Sequence, residues 1–233
     1  MPKYDHIFVD ESGDPGWAFD PVSAELLSSE YYTAAALHMC ADSFGKVYEH
    51  ISNFRYLTRM SRELKLHPER EIFQRLIHPI GTLADGDGGI WASAVHLDKR
   101  KYDGRYLKDG GPRPQDPVKF RNWVLRRLLE WHFSWAHLQS QQYDLVLDRV
   151  ELTKDQTDNL QNYLARNYNL PTPTSISHAA SIYVEPLQIV HHIATGFKNV
   201  VTLGSAPPDA LSFIRSRDIT TSQRAERYGK VMG

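Results

Sequence analysis

Three carboxylates fall within five residues near the start of the chain: Asp10, Glu11 and Asp14 in IFVDESGD. The apolar run before them alternates as a strand does. Alternation puts Asp10 on the face of Phe8 and leaves Ile7 and Val9 on the other. If helices cover both faces, Asp10 starts out partly buried. A buried, unpaired carboxylate is costly, so it must be protonated, hydrogen-bonded or bound to a cation. Ser12 and Gly13 would let the backbone turn sharply and leave room beside it. The plainer alternative is a solvated turn. The stretch LVLDR repeats the pattern, with Asp148 at a strand end, and its plainer alternative is a surface pair with Arg149. Two strands that both end in aspartate point toward one place, because sites in mixed α/β sheets gather beyond strand ends.

Two further features bear on the same chemistry. Glu63 and Lys65 lie in SRELKLH, a polar link between helices, either over the sheet or as a solvated charge run. A helix after Pro186 carries an apolar stripe of Leu187, Val190, Ile193, Ala194 and Phe197. At about 100° per residue, His191 lies on the flank of that stripe beside Gln188 and Thr195. His192 and Glu185 fall further round, toward solvent. His191 is thus the better ligand candidate of the two histidines, or else a hydrogen-bonded histidine at the core edge.

A basic stretch, KRKYDGRYLKDGGPRP, carries six Lys or Arg against two Asp. Lys99, Arg100, Lys101, Arg105 and Lys108 suit phosphate contacts, and Tyr102 suits base stacking. A solvated loop is the alternative. Arg121, Arg126 and Arg127 either extend this patch or flank a core face. Trp123, Trp131, Phe133 and Trp135 on the same long helix read as core, or as a homodimer face.

The elements that must position these residues follow from periodicity. Strands are expected over 5–10, 31–39, 90–97, 143–150 and, more weakly, 174–185. Helices are expected over 42–57, 68–80, 116–139, 153–168 and 186–199. This order predicts an α/β fold with a mixed central sheet of about five strands flanked by helices. The main domain spans 1–198. Residues 199–233 read as a C-terminal arm, peripheral or partly disordered.

Composition narrows the function without naming it. The chain has 233 residues, 41% apolar and 24% charged, with a formal net charge of −1. That balance gives no global signature of nucleic-acid or membrane binding, so any nucleic-acid role rests on a local patch. A single cysteine, Cys40, allows no intrachain disulfide and reads as a small core residue. No leader and no apolar run long enough for a membrane span are evident, so a cytoplasmic protein is expected. DGDGG at 85–89 reads as a turn, and HHIA alone is no zinc motif.

FVDESGD, Arg62-Glu63-Leu64-Lys65, LVLDR and LQIVHHIATG occur in that order. Together they resemble the bacterial and phage family catalogued as domain of unknown function 3800 (DUF3800), over roughly residues 5–198. That family looks like part of the ribonuclease H-like superfamily. The resemblance implies a mixed five-stranded sheet with acidic residues around Mg²⁺ or Mn²⁺. It makes Asp10 the first-strand aspartate, Glu63 the glutamate of the second motif and Asp148 the fourth-strand aspartate. The last-helix aspartate of the family falls at His191, because Leu187 and Gln188 match its leucine–glutamine. Histidine suits Mg²⁺ less than a carboxylate does. The change either favours Mn²⁺, weakens a second metal site or marks a catalytically degraded member.

The implied activity is divalent-metal-dependent hydrolysis of RNA or DNA, with two ions about 4 Å apart. Asp10 is expected to bridge, Asp148 and His191 to complete one ion, and Glu63 the other. Lys65 is expected to contact the scissile phosphate or orient a carboxylate. Glu11, Ser12, Asp14 and Gln188 are expected in supporting positions. The competing reading is a non-catalytic nucleic-acid- or protein-binding module on the same fold.

Overall fold

The computed structural model describes residues 4–16, 18, 22–23, 27–59, 63–64, 69–84, 88–102, 116–138, 142–148, 153–166 and 170–220. The strands are β1 (Asp5–Ser12), β2 (Tyr31–Met39), β3 (Ile90–Asp98), β4 (Tyr143–Asp148), β5 (Ser175–Ala179) and β6 (Arg215–Asp218). They form one six-stranded sheet in the order β5-β4-β1-β2-β3-β6. β2 runs antiparallel to both its neighbours, while β1, β4 and β5 run parallel, as do β3 and β6. The helices are α1 (Ala41–Thr58), α2 (Glu69–Ile72), α3 (His78–Ala84), α4 (Pro117–His132), α5 (Lys154–Ala165) and α6 (Glu185–Leu203).

The period-two pattern sorts the core into two layers. Phe8, Ala35, Leu37, Ala92 and Ala94 face α1 and α6. Ile7, Val9, Ala34, Ala36, Val95, Leu145 and Leu147 face α4 and α5. Ala35 pairs with Asp10 on one side and Ala94 on the other, so small side chains lie where α6 crosses the sheet. Gly196 serves the same close approach on the helix's far side, where a Cβ would come within 2.7 Å of the Phe73 ring.

α5 starts where its sequence says it should. Thr153 and Gln156 form a reciprocal capping box. Between α2 and α3 a π-helical turn, Phe73–Ile77, replaces the expected regular helix. Pro79 explains it: proline offers no amide hydrogen and crowds the carbonyl four residues back, so the turn before it widens.

The C-terminal segment departs from the expected peripheral arm. α6 runs on to Leu203, and residues 209–219 return to the sheet, burying Leu211, Ile214 and Ile219. β6 then adds a sixth strand beside β3. Residues 221–233 lie outside the described residues. The aromatic face of α4 makes contacts within the chain. Trp123, Trp131 and Phe133 pack on the core, and Arg215 lies over the Trp135 ring at 4.5 Å. Arg217 lies over Trp131, whose indole N–H donates to the Arg215 carbonyl. Cys40 is a buried free thiol, as expected. Among the described residues, no helix is long and apolar enough to cross a membrane.

Candidate functional site

β1 does not end at Asp10 but continues through Ser12, and its backbone turns only at Gly13, at φ +107°. Strand alternation therefore still governs the acidic stretch. Asp10 stays on the α6 face with its side chain 10% exposed. The β1–β4 register ends at Val9↔Leu147. One step further along this parallel pair, Asp10 and Asp148 are neighbours on the face of Phe8 and Val146.

Asp10 Oδ1 accepts the backbone N–H of Glu11 at 2.7 Å, and Oδ2 meets His191 Nδ1 at 2.9 Å. The carboxylate is the acceptor, so the imidazole carries a proton on Nδ1. Asp148 Oδ1 accepts the N–H of Ser181 at 3.2 Å, and the Ser181 carbonyl accepts Gln188 Nε2 at 2.6 Å. The other end of the same amide, Gln188 Oε1, accepts the N–H of Leu64. The Leu64 carbonyl is taken by His192 Nε2–H at 2.9 Å. Both backbone groups of the residue after Glu63 are thus held by buried side chains one turn apart on α6. Thr195 adds a weak contact to Ser12 at 3.4 Å.

Positions 188, 191, 192 and 195 lie at the spacing of one helix face. Through them α6 reaches the segments that carry Asp10, Glu63 and Asp148. Glu63 is half-buried beside this clamp, and Lys65 lies outside the described residues. Among the described residues, no group of three or more His, Cys, Asp or Glu side chains is gathered as a metal site.

Several expected supporting residues lie elsewhere. Glu11 points to the opposite face, where Arg121 Nε meets its carboxylate at 2.6 Å and the Tyr32 hydroxyl donates to it at 2.7 Å. Burial pushes the Glu11 carboxyl up against the pull of Arg121, whose own guanidinium is held above its usual value by that carboxylate despite burial. Arg121 is therefore a structural partner of β1, not an extension of a basic patch. Asp14 leaves the strand altogether, and its carboxylate accepts the Gly16 N–H at 2.7 Å.

The basic stretch is corrected in part. Lys99 is 0% exposed, and its ammonium donates to the carbonyls of Asp14 and Gly16 and to Ser28 Oγ, which ties down the loop after β1. Burial lowers its pKa to about 8. Tyr102 is 6% exposed and packs on Phe120 and Trp123, so its ring offers no stacking platform. Arg100 pairs with Asp98 and Glu30, and Lys101, 75% exposed, reaches Asp98 at 3.3 Å. Arg105 and Lys108 lie outside the described residues. Arg126 and Arg127 pair with Glu130.

His192 is the functional-face residue that periodicity misplaced. It is 2% exposed, not turned to solvent. The signal available was its spacing of four from Gln188. No family model matches the chain, and no curated protein matches it.

Proposed function

We propose that the chain is a divalent-metal-dependent nuclease that hydrolyses phosphodiester bonds in RNA or DNA on a ribonuclease H-like sheet. One observation carries the reading: a single helix, α6, is hydrogen-bonded to Asp10 and to the segments bearing Glu63 and Asp148. A mixed sheet with two aspartates at neighbouring strand ends, and a last helix laid across them, supports the resemblance to the DUF3800 family.

The donor set suits Mg²⁺ or Mn²⁺. Three carboxylates offer hard oxygens, and the imidazole of His191 suits Mn²⁺ better than Mg²⁺. Asp10, Asp148, Glu63 and His191 are the residues that would hold the ions. When bound, such ions lower the pKa of a water and offset charge on the leaving oxygen. The chain's own share is positional. Gln188 and His192 fix the backbone beside Glu63, and Ser181 orients Asp148. For the nucleic acid, Lys101, 75% exposed, is assigned to phosphate contact together with Lys65, Arg105 and Lys108, the last three from sequence.

The test is cleavage of labelled RNA, DNA and hybrid substrates with Mn²⁺ or Mg²⁺, comparing wild type with Asp10→Ala. The expected result is metal-dependent cleavage lost in the variant. A direct Asp10–His191 hydrogen bond favours a second reading, a non-catalytic binding module in which the histidine has taken the ion's place. Nucleic-acid binding without cleavage under any metal would select it.

A further inference from the structure

Away from Asp10, on the α4 face of the sheet, four polar side chains form a chain with no exposed member. Asp5 opens β1, His38 lies near the end of β2, Ser93 lies on β3, and His132 closes α4. Each is 0% exposed. Asp5 Oδ2 meets His38 Nε2 at 3.1 Å, His38 Nδ1 meets His132 Nε2 at 3.0 Å, and His132 Nδ1 meets Ser93 Oγ at 2.9 Å.

The direction of these bonds follows from donor counting. A carboxylate only accepts, so His38 carries its proton on Nε2. A neutral imidazole has one N–H, so His38 Nδ1 is bare and accepts from His132 Nε2–H. His132 Nδ1 is then bare in turn and accepts the Ser93 hydroxyl. We propose that this chain is a directional lock built on two neutral imidazoles. Asp5 sets the tautomers of His38 and His132 and the orientation of the Ser93 hydroxyl, and so joins β1, β2, β3 and α4 in one hydrogen-bond pattern. The lock holds only while both imidazoles are neutral: a proton added to His38 Nδ1 removes the acceptor that His132 Nε2–H needs, and one added to His132 Nδ1 reverses its bond so that Ser93 Oγ must accept.

The surrounding groups leave this assignment intact. Asp144 on β4 accepts from Ser175 and lies 3.9 Å from His6. Arg127 and Glu130 on α4 pair with each other, and Arg215 on β6 lies over Trp135. Trp91 packs on His38 at 4.7 Å and Phe133 on His132 at 5.2 Å, both without charge. Burial lowers the pKa of both imidazoles, which agrees with the neutral pair.

The inference stands apart from the nuclease reading and is tested on the ¹⁵N-labelled full chain by ring-nitrogen NMR correlation. At pH 7.5 the expected spectrum has His38 and His132 both neutral with the proton on Nε2. In Ser93→Ala both keep that tautomer, because the direction is set from the other end. In Asp5→Asn, whose amide can donate as well as accept, the single tautomer is lost. On acidification both imidazoles stay neutral until the protein unfolds. Nδ1–H tautomers at pH 7.5 would overturn the proposal, since the reverse chain requires a protonated Asp5. A histidinium at either position in folded protein would overturn it too. The wild-type spectrum decides the matter even if Asp5→Asn fails to fold.

Discussion

Asp10 and His191 meet side chain to side chain at 2.9 Å in the candidate site, and their chemistry separates cleanly by substitution. Asp10→Asn keeps the size and one acceptor but removes the charge that attracts a cation. Metal-dependent cleavage is expected to fall at least about a hundredfold, while the melting temperature holds or rises as a buried charge is removed. His191→Asp replaces the imidazole by a hard oxygen donor. It is expected to shift the metal preference toward Mg²⁺, read as the ratio of Mg²⁺- to Mn²⁺-supported rates. An unchanged ratio would remove His191 from the ion's surroundings. Lys99 makes a prediction of a different kind. Lys99→Met leaves three acceptors without their donor and is expected to destabilise the fold by roughly 1–3 kcal/mol at pH 7. Between pH 8 and 10.5 the unfolded chain keeps a proton that folded Lys99, with its pKa lowered to about 8, has released. Wild-type stability therefore rises with pH in that window relative to Lys99→Met, by at most about 3 kcal/mol. Urea denaturation of both proteins at pH 7.5 and 10 checks the sign.

Among the elements, α6 carries the argument, and its environment explains both what its sequence disclosed and what it hid. The apolar stripe and the placement of His191 on its flank were legible from spacing. The inward position of His192 was not. The stripe assumes one buried face, whereas α6 is enclosed by the sheet on one side and by Leu64 and Phe73 on the other. Its buried residues run nearly all round, including Gln188 and His192. Gln188→Ala should therefore loosen the Glu63 and Asp148 segments together. The expected effect is a loss of about 1–3 kcal/mol from unsatisfied backbone groups, with a larger loss of catalytic rate than of nucleic-acid affinity. Equal losses in both would make Gln188 merely structural. β1 makes the complementary point. Alternation placed Asp10 correctly, but an early turn at Ser12 was expected, so Glu11 was grouped with the wrong face. Gly13 sets the true turn. At φ +107°, with a Cβ only 2.5 Å from the Tyr31 carbonyl, Gly13→Ala should cost more than about 1 kcal/mol and shift the end of β1.

At the scale of the whole molecule, the α/β class and the order of the first five strands could be read from periodicity. The sixth strand could not, because β6 is four exposed residues with no apolar alternation. It is held by pairing to β3 and by Arg215 and Trp131 across the sheet edge. Nor could the burial of Lys99 be read, since a basic run looks the same whether its first residue turns inward or outward. The fold also draws imidazoles out of water, His38 and His132 fully and His6, His96 and His178 in part. Burial lowers the pKa of His6, His38, His96, His132 and His178 below 6.5. In the unfolded chain these groups take up protons as pH falls through 6.5, while in the folded protein they resist. Stability is thus full above that pH and falls below it, by up to about 1.4 kcal/mol per pH unit for each histidine that stays neutral. Glu11, raised by burial, opposes this only near and above 4.5, and as a single group. The urea midpoint is expected to drop steadily from pH 7 to 5, and a flat profile would contradict the burial of these rings.

The central claim is that the carboxylates tied to α6 form a cation site. Calorimetric titration of the full chain with Mn²⁺, repeated on Asp10→Asn and Asp148→Asn, tests it most directly. Saturable binding by the wild type, weakened at least about tenfold in each variant, is the predicted result. Binding equal in all three proteins, or absent from the wild type, would contradict it.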